Sequence, residues 1–179
     1  MIGYIIKIIW FFLPMGFANM APVFVKKINF LNIPVDFNKK INEEPILGEN
    51  KTIRGFFAAT ILGGAIFLLQ KYLFSFGFFE SISLVDYQYI PWFAGLFMAF
   101  GAIAGDAVKS FFKRRFKINS GRSWAPFDQI DYVLGGVSFF LYFYVPTLID
   151  IVVLLFVGLI LHIIVNVIGY YLGIREQKI

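Results

Sequence analysis

An all-α integral membrane protein with five transmembrane helices is the fold class this sequence predicts, and three observations predict it. Hydrophobic residues make up 59% of the 179 residues and charged ones 15%, with a mean hydropathy of +0.77, which leaves too little polar surface for a soluble domain. Five apolar runs approach the roughly 20 residues that a helix needs to cross the hydrocarbon layer. Lys and Arg alternate between the loops, as they do when basic loops stay in the cytoplasm.

The first span runs from about Met1 to Phe24, where Lys7 can snorkel and Pro14, Asn19 and Pro22 bend the end. Its apolar run resembles a signal peptide, but Lys7 interrupts it and its start lacks charge, so it reads as a retained helix. Residues 25–52 are polar. The second span, Ile53 to about Phe79, carries Ala59, Gly63 and Gly64, small enough for helix backbones to approach. After a short loop over 80–89, the third starts near Ile90, and its Gly101 and Gly105 at GxxxG spacing pack against protein rather than lipid. It leads directly into the charged stretch 106–131. The fourth follows Asp131, with Gly135 and Gly136 near its start, and reaches about Val145. Pro146 to Asp150 reverse the chain, and the fifth, Ile151 to Leu172, leaves a polar tail. Small residues in spans two to five are expected to leave a lateral groove for lipid chains. No linker, repeat or soluble domain stands out, so residues 1–179 form a single membrane domain with polar loops at about 25–52 and 106–131.

Residues 25–54 hold six Lys or Arg and residues 106–131 another six, while 72–90 and 132–150 hold none. This places the N-terminus outside and both basic loops, with the C-terminus, in the cytoplasm. The formal charge of +5 then reflects topology and attraction to anionic headgroups, not nucleic acid. Without Cys there is no disulfide, thiolate nucleophile or Cys-ligated zinc, and one His excludes a multi-His metal site within the chain.

Charged residues at the end of a membrane helix are costly unless paired, hydrated or useful. On a helix continuing from the third span, Asp106, Lys109, Ser110, Lys113 and Lys117 share one face. A carboxylate followed by a ladder of ammonium groups suits a metal at one end and phosphate oxygens along the rest. The alternative is a positive-inside cluster with an Asp-Lys pair. Asp128 and Asp131, at i and i+3 after Pro126, face the same way and can share a hard divalent ion such as Mg2+; helix-dipole acids are the alternative. Asn119-Ser120-Gly121 forms a turn whose N–H groups can cradle phosphate. On the other inward loop, Gly48 to Gly55 offers Lys51, Thr52 and Arg54 at the mouth of a span, with Thr52 as a simple N-cap the alternative. His162 and Asn166, at i and i+4 in the fifth span, read as interhelical contacts, with a groove toward a lipid substrate the alternative.

Together these features fit phosphoryl or nucleotidyl chemistry on a lipid headgroup. The run Gly105-Asp106, Lys109-Ser110, Lys113-Arg114-Arg115, Ser120-Gly121, Asp128-Gln129-x-Asp131 resembles the signature of membrane CTP-dependent lipid-phosphate cytidylyltransferases. Asn50-Lys51-Thr52-x-Arg54-Gly55 and Ala18-Asn19-x-x-Pro22 are similar to the archaeal branch, the CDP-archaeol synthases. Asn119 stands where the bacterial pattern has Asp. The resemblance implies transfer of CMP from CTP to an isoprenoid ether-lipid phosphate, 2,3-bis-O-geranylgeranyl-sn-glycerol 1-phosphate, at the cytoplasmic face of the cell membrane, with Mg2+ as cofactor. It also implies Mg2+ on Asp128, Asp131 and Asp106, with Lys113 among the catalytic groups. Lys51, Thr52, Arg54, Lys109, Ser110, Arg114, Asn119, Ser120 and Gly121 are the expected phosphate-binding set. Two alternatives remain at this point. A CDP-alcohol phosphotransferase calls for Asp-Gly, Ala-Arg and Asp-x-x-x-Asp, whereas Ala107 follows Asp106 here and two residues separate the last pair. A non-catalytic lipid or ion transporter calls for acids at mid-membrane depth on several spans.

Overall fold

The computed structural model describes residues 1–119 and 122–173. These form α1 (Ile2–Phe24), a hairpin of β1 (Lys40–Ile41) and β2 (Glu44–Pro45), α2 (Ile53–Leu73), the short α3 (Gly77–Ser81), α4 (Ala94–Arg115), α5 (Phe127–Phe140) and α6 (Leu148–Tyr171). Among the described residues, α1, α2, α4 and α6 are long and apolar enough to cross a membrane. The 14 residues of α5 rise about 21 Å, short of the roughly 30 Å hydrocarbon layer.

Helix ends differ from the sequence expectation for local reasons. α2 stops at Leu73 instead of Phe79, where Ser75 Oγ donates to the Tyr72 carbonyl at 2.8 Å. α4 starts at Ala94 instead of Ile90. Pro91 disfavours helical backbone at the preceding residue, and Lys71 Nζ donates to the carbonyls of Tyr87 and Ile90 at 2.5 and 2.9 Å. α5 starts at Phe127 with Pro126 as its N-cap, so Asp128 and Asp131 lie on one helix, as their spacing after Pro126 predicts, and that helix is continuous with the fourth apolar run. α6 starts at Leu148 because Thr147 and Asp150 form a capping box.

The all-α expectation needs one correction, since loop 25–52 carries a hairpin. β1 and β2 pair Ile41 with Glu44 across Asn42 and Glu43, whose φ of 53° and 66° are the positive values a two-residue hairpin turn requires. Asp36 organises the rest of the loop by accepting the N–H groups of Asn38, Leu47 and Gly48 at 3.0, 2.8 and 3.2 Å. Burial pushes the Asp36 carboxyl up, but these backbone donors outweigh it and hold the group below the usual carboxylate range.

The close pairing of α4 and α5 sets the site. A Cβ on Gly105 would lie 2.3 Å from the Asp131 carbonyl oxygen, and one on Gly135 would lie 2.2 Å from the Gly101 carbonyl oxygen. Backbone therefore meets backbone, as the GxxxG spacing predicts, and Asp106 is brought beside Asp131. Gly63 does the same where α2 crosses the Pro14 carbonyl and Ala99. These small residues are taken up by contacts between helices. At the end away from the basic loops, Phe11, Phe140, Phe67 and Tyr87 make an aromatic run with successive ring centroids 5.5, 5.8 and 5.3 Å apart. α6 packs on α1 and α5. Tyr4 Oη donates to Asp150 Oδ1 at 2.5 Å, and Tyr132 Oη to the Gly158 carbonyl at 3.0 Å.

Candidate active site

Five segments converge at the end of the bundle that carries both basic loops, around a cavity of about 780 Å3. The end of α1 supplies Asn19 and Pro22, the mouth of α2 supplies Lys51, Thr52 and Arg54, and α4 supplies Asp106, Lys109 and Lys113. From α5 come Asp128 and Gln129, and from α6 come His162 and Asn166. A second space of about 40 Å3, lined by Phe12, Gly16 and Met20 of α1 and Leu161 and Val165 of α6, shares Asn19, His162 and Asn166 with the first. His162 and Asn166 thus sit where a polar cavity meets an apolar slot.

At the cavity wall, Lys109 Nζ lies 2.9 Å from Asp106, 2.7 Å from Asp128 and 2.9 Å from Asp131. Lys51 pairs with the other oxygen of Asp106, and Lys113 reaches Asp128 at 3.2 Å. Three carboxylates and three ammonium groups therefore balance. Asp128 Oδ2 also accepts the Trp124 N–H at 2.5 Å, Asp131 Oδ1 accepts the Tyr132 N–H at 2.7 Å, and Lys113 donates to the Arg122 carbonyl. Buried ion pairs of this kind offset a large desolvation penalty only when each charge is matched. Removing one partner strands the rest.

The structure brings Asp106, Asp128, Asp131, Lys109 and Lys113 of α4 and α5 together with Lys51, Thr52 and Arg54 of the first loop, 52 or more residues away in the chain. Asp128 and Asp131 share an ammonium, held at 2.7 and 2.9 Å, wider than the about 2.0–2.1 Å of a magnesium–oxygen bond. Accordingly, among the described residues, no three acid or imidazole groups stand at single-ion spacing. Asp131 lies behind Lys109, whereas Asp106 and Asp128 line the cavity. Thr52 both lines it and caps α2, accepting the Gly55 N–H at 3.2 Å, so the two readings of Thr52 coexist.

Three expected phosphate binders lie elsewhere. Ser110 Oγ donates to the Asp106 carbonyl one turn back at 2.9 Å, Arg114 is buried off the cavity wall, and Asn119 is exposed beyond α4. The helical repeat put Ser110 on the right face, but its short hydroxyl satisfies its own backbone. Ser120 and Gly121 lie outside the described residues. The sequence reading missed Lys26, Asn32, Gln129 and Arg122, all on the cavity wall. Gln129, buried with no partner for Oε1, stands inside the Asp128-Gln129-x-Asp131 run quoted above, where it carried no role of its own.

A family model for CarS-like CDP-archaeol synthase matches residues 1–178. The chain belongs to the CDP-archaeol synthase family. It is 37% identical over 160 residues to the CDP-archaeol synthase of Methanospirillum hungatei, covering 80% of this chain and 88% of that one. With the enzyme of Methanocaldococcus jannaschii it shares 31% over 170 residues, 94% of this chain and 93% of the other. A solved structure, of an intramembrane enzyme for archaeal membrane lipids biosynthesis, superposes with a TM-score of 0.72 at 28% identity, covering 89% of this chain and 92% of that one. The chain is therefore a multi-pass membrane enzyme, and the phosphotransferase and transporter alternatives fall away.

Proposed function

We propose that this CDP-archaeol synthase family member transfers CMP from CTP to 2,3-bis-O-geranylgeranyl-sn-glycerol 1-phosphate, releasing pyrophosphate. The observation that carries the reading is the convergence of Asp106, Asp128 and Asp131 on Lys109 at the wall of a cavity that also holds Lys51, Lys113 and Arg54. An oxygen of the lipid phosphate attacks the α-phosphorus of CTP, the bond to the β-phosphate oxygen breaks, and pyrophosphate leaves. The nucleophile is already anionic, so no general base is needed. The obstacle is repulsion between two phosphates, and cations remove it.

The donor set suits a hard divalent cation in its chemistry, because three carboxylates surround one positive charge, and they would have to close from their spacing around that ammonium to grip an ion. Asp106, Asp128 and Asp131 would hold Mg2+, which would supply charge neutralisation at the reacting phosphates. Lys51, Lys109 and Lys113, each now committed to a carboxylate, border the cavity and can exchange a carboxylate for a phosphate oxygen. Arg54 is the readiest phosphate ligand, since its Nε and one terminal nitrogen are buried without a partner on the cavity's edge.

Five spans with the N-terminus outside also belong to this reading. α6 begins beside Tyr4 at the end opposite the cavity, which supports α5 and the residues after it as the return crossing. Twelve Lys and Arg at the cavity end support a cytoplasmic site. Incubating the purified protein with labelled CTP, the lipid phosphate and Mg2+ should give labelled lipid and an equal amount of pyrophosphate. Release of CMP without labelled lipid would rule the reaction out.

A further inference from the structure

The segment after α1 is strapped to the start of α2. Arg54 N–H donates to the Leu31 carbonyl at 3.0 Å, Ile53 N–H to the Ile33 carbonyl at 2.9 Å, and Val35 N–H to the Lys51 carbonyl at 2.8 Å. Residues 31–35 therefore lie level with the first turn of α2. At this level the segment presents Ile28, Phe30, Ile33 and Phe37 at 52, 74, 45 and 64% exposure. Lys26, Lys27, Lys39 and Lys40 flank them, all exposed.

Exposed aliphatic and aromatic side chains bracketed by lysines are the composition of a segment that lies in a bilayer interface, with rings below the headgroups and ammonium groups among them. A loop that stayed in water would have no use for four such apolar groups within ten residues. The backbone ties to α2 hold this segment beside the first turn of a membrane-spanning helix, and the lysines match an anionic headgroup layer. Both observations favour lipid over a second protein as the occupant.

We propose that residues 26–41 dock on the anionic lipid surface next to the cavity, with Phe30 and Phe37 inserted beneath the headgroups. Lys26 and Asn32, which belong to this segment and line the cavity, then stand at headgroup height. On the lipid-phosphate reading above, a substrate lipid crosses this sill without leaving its leaflet.

The chain has no Cys, so one introduced cysteine carries a spin label alone. Phe30→Cys and Phe37→Cys, with Asn42→Cys at the hairpin tip as the aqueous reference, are labelled and reconstituted in vesicles of phosphatidylglycerol and phosphatidylcholine. Relaxation by oxygen at positions 30 and 37 should exceed that by an aqueous nickel chelate, with position 42 reversed. Replacing Lys27, Lys39 and Lys40 by Gln, or using phosphatidylcholine alone, should make the labels shallower. Free access of nickel to positions 30 and 37 would overturn the proposal, and so would spin–spin broadening between chains, which would mark a protein partner. No substrate is present, so either result leaves the cytidylyl-transfer reading untouched.

Discussion

Replacing Gly105 by Ala tests whether the α4–α5 contact positions the acids. The added Cβ would lie 2.3 Å from the Asp131 carbonyl oxygen, against 3.4 Å for ordinary contact, so α5 must yield by about 1 Å at the residue whose carboxylate meets Lys109. Overpacking of this kind costs about 1–3 kcal/mol in stability. A misplacement of about 1 Å costs on the order of 100-fold in rate when geometry carries catalysis. Gly101→Ala clashes similarly, 2.5 Å from the Gly135 carbonyl oxygen, but one turn farther from the acids, and Gly3→Ala meets nothing within 4 Å. Turnover of labelled CTP and thermal unfolding in detergent would be measured together. The expectation is that Gly105→Ala and Gly101→Ala lose comparable stability, Gly105→Ala loses about 100-fold in kcat, and Gly101→Ala loses much less. If Gly105→Ala keeps wild-type turnover, or both variants lose activity only as they lose stability, the positioning argument fails.

Three further expectations concern the loop and the far end. Arg115 donates to the carbonyls of Ile41, Glu44 and Pro45 at 3.0, 3.2 and 2.5 Å, a fan that only a guanidinium spans. Arg115→Lys should therefore loosen the hairpin, seen as faster proteolysis within 25–52 and a raised KM for CTP with a smaller change in kcat. Asp36, with its folded value below the unfolded one near about 3.9, contributes stability that is complete above that value and lost as pH falls through the folded one. Protection of the Leu47 and Gly48 amides, the ratio of intrinsic to observed exchange, should fall in acid below about pH 4, and Asp36→Asn should remove that dependence. Thr147→Ala breaks the α6 capping box and should lower stability by about 1 kcal/mol in thermal unfolding while leaving turnover intact.

Much of this was legible in the sequence because it is local. Apolar run length set α1 closely, the Gly101-Gly105 spacing predicted a protein-packed face, and the 3.6-residue repeat put Asp106, Lys109 and Lys113 on one side of α4. What escaped depends on contacts distant in the chain or on backbone conformation. That Lys109 also holds Asp128 and Asp131 depends on α5 packing beside α4, which no repeat along α4 can show. Loop 25–52 reads as polar coil because neither the positive φ at Asn42 and Glu43 nor the Asp36 hydrogen bonds have a periodic signature. Ser110 shows the limit of periodicity: the face was right, yet its hydroxyl bonds backwards along its own helix. The capping box at Thr147 and Asp150 was there to be found, since Thr-x-x-Asp before an apolar run is a local signal.

The account stands on the acids of α5 acting together on the nucleotide. The direct measurement is transfer of label from CTP to the lipid phosphate, across a Mg2+ titration, by the wild type and by the Asp128→Asn, Asp131→Asn double variant, each checked for a folded, membrane-inserted state. Loss of transfer at every Mg2+ concentration in the folded double variant is the predicted result. Transfer at the wild-type rate in that variant would contradict the account.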